Sequence, residues 1–233
     1  MEIAMIKYGE DYAGNQTILD WCKKLGCHNP IIINNKTSHL QSNEVAGDNS
    51  YFEFSAYRIA ISAFKTEGPF LIINDTLFKH HIPKAWSLLI QNASRLKTST
   101  PAVWGDLRKE NISFSEKEEE FLASWIFYIP DRTSLFAFQM ALEEAIASLG
   151  QPLSIGYQSY IDHWLRGNYW LRGWKGSIDD ETYKRKWLSI RLEHGLSKSL
   201  SSQGVMRSFM QITMLYKITR WAERILYRLT PNS

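Results

Sequence analysis

The chain has few cysteines, only Cys22 and Cys27 in 233 residues. Two thiols so close in sequence, with no further cysteine, do not make a disulfide framework, and a reducing compartment is the expected home. Long apolar runs are missing too, because no stretch approaches the roughly 20 apolar residues that a spanning helix needs. The opening MEIAMIKYGEDYAGN has neither an apolar core nor a small-residue cleavage site, so no signal peptide is expected. Charge of one sign is also scarce. Lys+Arg 27 against Asp+Glu 24 leaves +3, too mild a balance to point to nucleic acid. There is no G-x-x-x-x-G-K-(S/T), no G-x-G-x-x-G after a strand and no paired-cysteine spacing for zinc, which sets aside P-loop, dinucleotide-fingerprint and zinc-module chemistry. Rings, by contrast, are abundant. Aromatic residues reach 13%, with nine Trp, and such side chains serve as core, as stacking surfaces for sugars or as anchors at a membrane interface. The length suits one large domain, or a domain with an appendage.

The stretch FLIINDTLF, Phe70 to Phe78, organises the chain. Its continuous apolar run predicts a strand buried on both faces, since a strand with one wet face would alternate. The polar triplet Asn74-Asp75-Thr76 then falls at the strand's C-terminal end, where loops of an open α/β sheet form a ligand crevice. A carboxylate with neighbouring side-chain oxygens suits a divalent cation that also holds phosphates, and the same triplet is ordinary turn chemistry. Upstream, Ile3 to Tyr8 predicts a strand, Asn15 to Leu25 a helix stopped by Gly26, and Ile31 to Ile33 a second strand ending at Asn34-Asn35. That order is a βαβ unit with a parallel sheet and a right-handed crossover. Lys36 to Ser50 reads as a loop. Phe54, Tyr57, Ile61 and Phe64 then recur at helical spacing. Three strand tips are thus expected at one crevice, at Tyr8, Asn34-Asn35 and Asn74-Asp75-Thr76.

IIINN, GDNSYFEFSAYRIAI and FLIINDTLF, in this order, resemble the nucleotide-binding half of GT-A glycosyltransferases. Within that fold the likeness is to the bacterial group of rhamnan-synthesis and other cell-surface polysaccharide transferases. The motifs cover residues 28 to 80, about a quarter of the chain. The resemblance implies an α/β, Rossmann-like, mostly parallel sheet flanked by helices, with a nucleotide-sugar donor lying across the strand tips. It places Asn34 and Asn35 near the nucleobase or ribose, Asp48 and Asn49 beside the donor, Glu53 and Arg58 on the flanking helix and Asn74 at the third tip. Asp75 stands where the family has its metal-binding Asp-x-Asp carboxylate, implying Mn2+ or Mg2+. Here Asn74 and Thr76 flank it without a second aspartate, so weakly metal-dependent or metal-independent chemistry stays open. Transfer also needs positive charge to meet the leaving diphosphate and a base for the acceptor hydroxyl.

In the second half, the sequence predicts a helix from Pro83 to Leu96, a strand over Thr98 to Gly105, a helix capped by Ser115 that begins with Glu118 to Glu120, and a strand over Trp125 to Ile129. Ser134 to Leu149 predicts another helix. In LSIGYQSYIDHWLRGNYWLRGW, Asp162 and His163 fall at an expected helix start, and the resemblance makes Asp162 the catalytic base, with His163 a residue that supports it or a metal ligand; as a plain reading Asp162 is a solvated helix residue. Trp164, Trp170 and Trp174 line an acceptor sugar site or belong to the core. Asp179-Asp180-Glu181 reads as a capped helix exterior. His80-His81 reads as surface or phosphate-contacting rather than as a metal site. After a Ser-rich break at Ser197 to Ser202, Met214, Ile218, Trp221, Ile225 and Leu229 form an apolar stripe, and Lys217, Arg220, Arg224 and Arg228 a basic one. Such a helix suits an anionic membrane surface, packing on the domain, or pairing with another chain, a homodimer included.

The expected organisation is therefore a GT-A-like domain over residues 1–196, donor half 1–97 and acceptor half 98–196, followed by a basic amphipathic helical tail over 197–233. The expected activity is transfer of a sugar from a nucleotide-diphosphate donor to a glycan or lipid-linked acceptor, in the cytoplasm and peripherally on the inner face of its membrane, with no nucleic acid partner. The alternative is a binding module or partner subunit that keeps the fold without catalysis.

Overall fold

A computed structural model of the protein describes all residues except 9–14, 37–39, 97, 112–117, 167–178, 212–213 and 230–233. Strands β1 (Glu2–Lys7), β2 (Ile31–Asn34), β3 (Glu44–Ala46), β4 (Phe70–Asn74), β5 (Val103–Asn111), β6 (Glu118–Ile129) and β7 (Met206–Ser208) form one sheet in the order β3-β2-β1-β4-β6-β5-β7. All neighbours pair in parallel except β6, which is antiparallel to both β4 and β5. The mixed, mostly parallel α/β sheet expected from the sequence is present.

The apolar runs are buried on both faces, as their lack of alternation requires. Ala4, Ile6, Phe70 and Ile72 point to the side covered by α2 (Glu53–Ala63), α5 (Arg132–Ala147) and α7 (Asp180–Ser202). Ile3, Met5, Leu71 and Ile73 point to the side covered by α1 (Asn15–Lys24), α3 (Thr76–His80), α4 (Pro83–Ser94) and α8 (Met214–Leu229). A smaller cluster, Tyr160, Ile161, Leu165 and Ile190, packs α6 (Ile155–Arg166) on α7.

Several expectations are corrected. Lys36 to Ser50 contains the edge strand β3, which a three-residue run with exposed Val45 and Ala46 does not announce. Glu118 to Glu120 begin β6 rather than a helix. Across the hairpin the Lys109 ammonium pairs with Glu120, and such cross-strand pairing outweighs the helical preference of a Glu run; the capping residue Ser115 lies outside the described residues. The strand expected over Thr98 to Gly105 starts only at Val103 and continues to Asn111. α6 begins at Ile155, so Asp162 sits in the body of the helix and not at its start. Ser197 to Ser202 is no break either. These residues are the last turns of α7, where Ser197 donates to the Glu193 carbonyl and accepts the Leu122 N–H at 2.9 Å. The boundary placed at 196/197 therefore falls inside α7, and beyond that helix β7 joins the sheet beside β5. The Asp179 cap is as expected, its carboxylate accepting the Thr182 N–H at 2.7 Å.

Candidate functional site

The order of strands reverses between β1 and β4: from β1 the chain builds outward through β2 and β3, then returns to place β4 on the other side. Loops leaving the two strand ends diverge there, and this is where open α/β sheets hold ligands. A cleft of about 500 Å³ opens at this point. Its walls include Tyr8 after β1, Asn74, Asp75 and Thr76 after β4, Phe52 and Glu53 at the start of α2, and residues of β5, β6, α6 and α7.

Asp75 is buried, and its Oδ2 accepts the Tyr8 N–H at 3.2 Å and the Lys79 ammonium at 2.7 Å. Lys79 stands one turn along α3 and its side chain is nearly half exposed, so it joins the buried carboxylate to the open cleft. Asn74 Oδ1 accepts the Thr76 N–H at 3.0 Å and turns the chain into α3. Among the described residues no group of three or more His, Cys, Asp or Glu side chains comes together. One carboxylate that already holds an ammonium does not fit a divalent ion bound by the chain alone. The positive charge beside this strand tip belongs to Lys79.

A bulge shapes the opposite wall. Gly105 of β5 pairs with Phe127, whereas the next residue, Asp106, pairs with Ala123. Ser124 is thereby released from the β5 ladder. Its N–H goes to a Glu193 carboxylate oxygen at 2.5 Å, its hydroxyl to Glu53 Oε1 at 2.7 Å, and its carbonyl receives the Tyr57 hydroxyl. Glu53 is further held by Ser189 at 3.3 Å and by the Tyr8 hydroxyl at 3.3 Å. The two carboxylates thus share one serine, with unequal support. Glu193 has only the single Ser124 bond among the described residues and lines the cleft partly exposed. Burial pushes its carboxyl above the usual range, opposed by neighbouring His194 and the Ser124 bond and reinforced by Glu53.

Cations and rings complete the walls. Arg108 pairs with buried Asp106 at 3.2 Å, and Lys186 lies over the Phe52 ring at 5.1 Å. Phe121 stacks on His194 with centroids 4.3 Å apart, beside Tyr160 and Trp164. Phe52 itself has φ 55°, a left-handed conformation unfavourable for a bulky residue. Its carbonyl is held by Asn35 at 3.1 Å and by Ser55 at 2.9 Å, which fixes the ring at the cleft.

Of the residues singled out in the sequence, Glu53, Asn74 and Asp75 converge on the cleft. Asn35 touches it indirectly, donating to the Tyr8 hydroxyl at 3.0 Å, whereas Asn34 is turned to Glu44 at 3.0 Å. Asp48 is exposed and caps Ser50 at 2.9 Å, Asn49 follows at φ 53°, and Arg58 pairs with Glu143 at 2.9 Å; none of these lines the cleft. Asp162 accepts the Tyr183 hydroxyl and does not line it, although its helix neighbours Tyr160 and Trp164 do. Trp170 and Trp174 lie outside the described residues. His80 is a wall residue, while the His81 side chain is buried, stacked on Trp125 at 3.8 Å. Sequence reasoning missed Ser124, Glu193, Arg108, Lys186 and His194. Only the Glu193-His194 pair left a trace, as two polar residues amid the apolar spacing of α7. Compared with protein-family models, curated proteins and solved structures, the chain matches none.

Proposed function

We propose that the protein is a GT-A-like glycosyltransferase that moves a sugar from a nucleoside-diphosphate donor to a glycan or lipid-linked acceptor in cell-surface polysaccharide synthesis. The observation that carries this reading is the convergence, at the sheet's switch point, of the Asn74-Asp75-Thr76 tip with cationic Lys79, Arg108 and Lys186 and the carboxylates Glu53 and Glu193. In this reading the donor diphosphate lies along Lys79 and Arg108, whose charges stabilise the negative charge that develops as the anomeric C–O bond breaks. Phe52 and Tyr8 face the donor's planar groups. The acceptor sugar lies against Phe121, His194, Tyr160 and Trp164, and its hydroxyl attacks the anomeric carbon. Glu193 takes the hydroxyl proton, the new C–O bond forms as the old one breaks, and the nucleoside diphosphate leaves. This single displacement inverts the anomeric centre. Glu193 replaces Asp162 as the proposed base because it stands in the cleft with a carboxylate oxygen not committed to the fold.

A thermal-shift screen against uridine, guanosine and thymidine diphosphates and their hexose esters, with and without manganese, tests the reading. A ligand that binds only the folded chain raises the melting temperature by mass action. The expected result is a shift of several degrees with one base series, already present in EDTA. No shift with any member counts against a donor site.

A further inference from the structure

α8 is amphipathic, and it keeps part of its apolar surface outside while polar groups anchor it to the domain. Among its described side chains the buried ones are Tyr216, Thr219 and Glu223, two hydroxyls and a carboxylate. Three of its apolar side chains face outward, Met214 73%, Ile218 57% and Trp221 65% exposed, and Ile225 is half-buried. The rotation is fixed by what lies underneath. The Tyr216 hydroxyl reaches fully buried Asp106 at 2.6 Å, and Glu223 accepts from the Trp86 indole at 2.8 Å, the Ile82 N–H at 3.1 Å and Arg220 at 2.7 Å. Glu223 also meets His81 Nδ1 at 3.1 Å. Rolling α8 to bury its apolar stripe would take the Tyr216 hydroxyl from Asp106 and the Glu223 carboxylate from the Trp86 indole and the Ile82 N–H, and buried polar groups left without partners are unfavourable. The outward stripe is therefore a built feature of the fold.

The charges beside the stripe identify its occupant. Lys217 is exposed next to Ile218, and the sequence adds Arg224 and Arg228 at helical repeats from it, whereas Glu223, the helix's one acidic residue, is turned inward. A protein partner's core would need a matching apolar groove and acidic groups together. A bilayer surface with anionic headgroups offers both without a groove, and the Trp ring favours that boundary. We propose that the outer face of α8 is a docking surface for an anionic membrane, with Met214, Ile218 and Trp221 entering the headgroup-acyl boundary and Lys217 meeting the lipid phosphates. This inference is independent of the transferase reading.

The test is co-sedimentation of the full chain with vesicles of phosphatidylcholine alone and of phosphatidylcholine with about a third phosphatidylglycerol. Wild-type protein is expected to partition at least tenfold better onto the anionic vesicles, with binding weakened by added salt. Ile218→Glu with Trp221→Glu is expected to lower that partition at least tenfold while the melting temperature is kept, since both side chains are exposed. Lys217→Glu is expected to lower it about fivefold, the typical worth of one basic residue at such a surface. Equal sedimentation of wild type and double variant overturns the proposal. Failure of wild type to bind anionic vesicles also overturns it; if the wild type is then a dimer in sedimentation velocity that the double variant dissolves, the face joins two copies of this chain.

Discussion

Glu53 and Glu193 meet at Ser124, and their surroundings separate their roles. Glu53 accepts from Ser124, Ser189 and Tyr8 and is held on three sides, whereas Glu193 takes one backbone N–H and faces the cleft. Glu193→Gln keeps an acceptor for Ser124 and removes the proposed base. It is expected to lower turnover by about 10²–10⁴-fold, the usual share of a general base, with donor affinity unchanged. Asp162→Asn alters a carboxylate turned to Tyr183 and is expected to leave turnover within a few-fold. Steady-state kinetics of the two variants decide between them, and the opposite pattern would return the base to Asp162. The pH dependence adds a check. Because burial raises the Glu193 carboxyl above its reference value of 4.5, the acid limb of the wild-type rate lies above that value and is absent in Glu193→Gln. A carboxyl raised in the folded state favours the acid form. Ionising Glu193 therefore lowers stability as pH rises from 4.5 toward the raised value, and the variant is freed of that loss.

At the scale of elements, buried polar contacts anchor α8 to the domain. Burial would push Glu223 up, but the His81 contact, with the Trp86 and Ile82 bonds, brings its carboxyl down to about 2 from 4.5. A depressed carboxyl contributes stability that is present above the unfolded value and lost as pH falls through the folded one. Between pH 4.5 and about 2 the wild-type melting temperature is thus expected to fall more steeply than that of Glu223→Gln, which is already less stable at neutral pH. Parallel melting profiles would show that the Glu223 charge does not hold α8. The α8 helix was legible as amphipathic, but its rotation was not, because Asp106 and His81 reach it across 110 and 139 to 142 positions of sequence. β4 and its polar tip were legible, since a strand buried on both faces leaves an unbroken apolar run, and Asn74 and Asp75 follow at its end. Of the β5/β6 hairpin only the apolar end, Trp125 to Ile129, was legible. Its outer half is charged on both strands, and its bulge, which turns Ser124 toward Glu53 and Glu193, has no local signature.

Across the whole molecule, the cleft and α8 share a wall. Trp125 lines the cleft, stacks on His81 and donates to Asp106 at 3.3 Å, while Asp106 also takes Arg108 on the cleft side and Tyr216 from α8. The buried polar network therefore joins the cleft wall to the helix that presents the outward apolar stripe. No helix among the described residues is long and apolar enough to cross a membrane. The most direct measurement is 31P NMR of the protein incubated with uridine, guanosine and thymidine diphosphate hexoses, water serving as the acceptor where no glycan is supplied. Slow conversion of one donor series to its nucleoside diphosphate by the wild type, and none by Glu193→Gln, is the predicted result; donors left intact across the whole panel by wild-type protein would contradict the transferase reading.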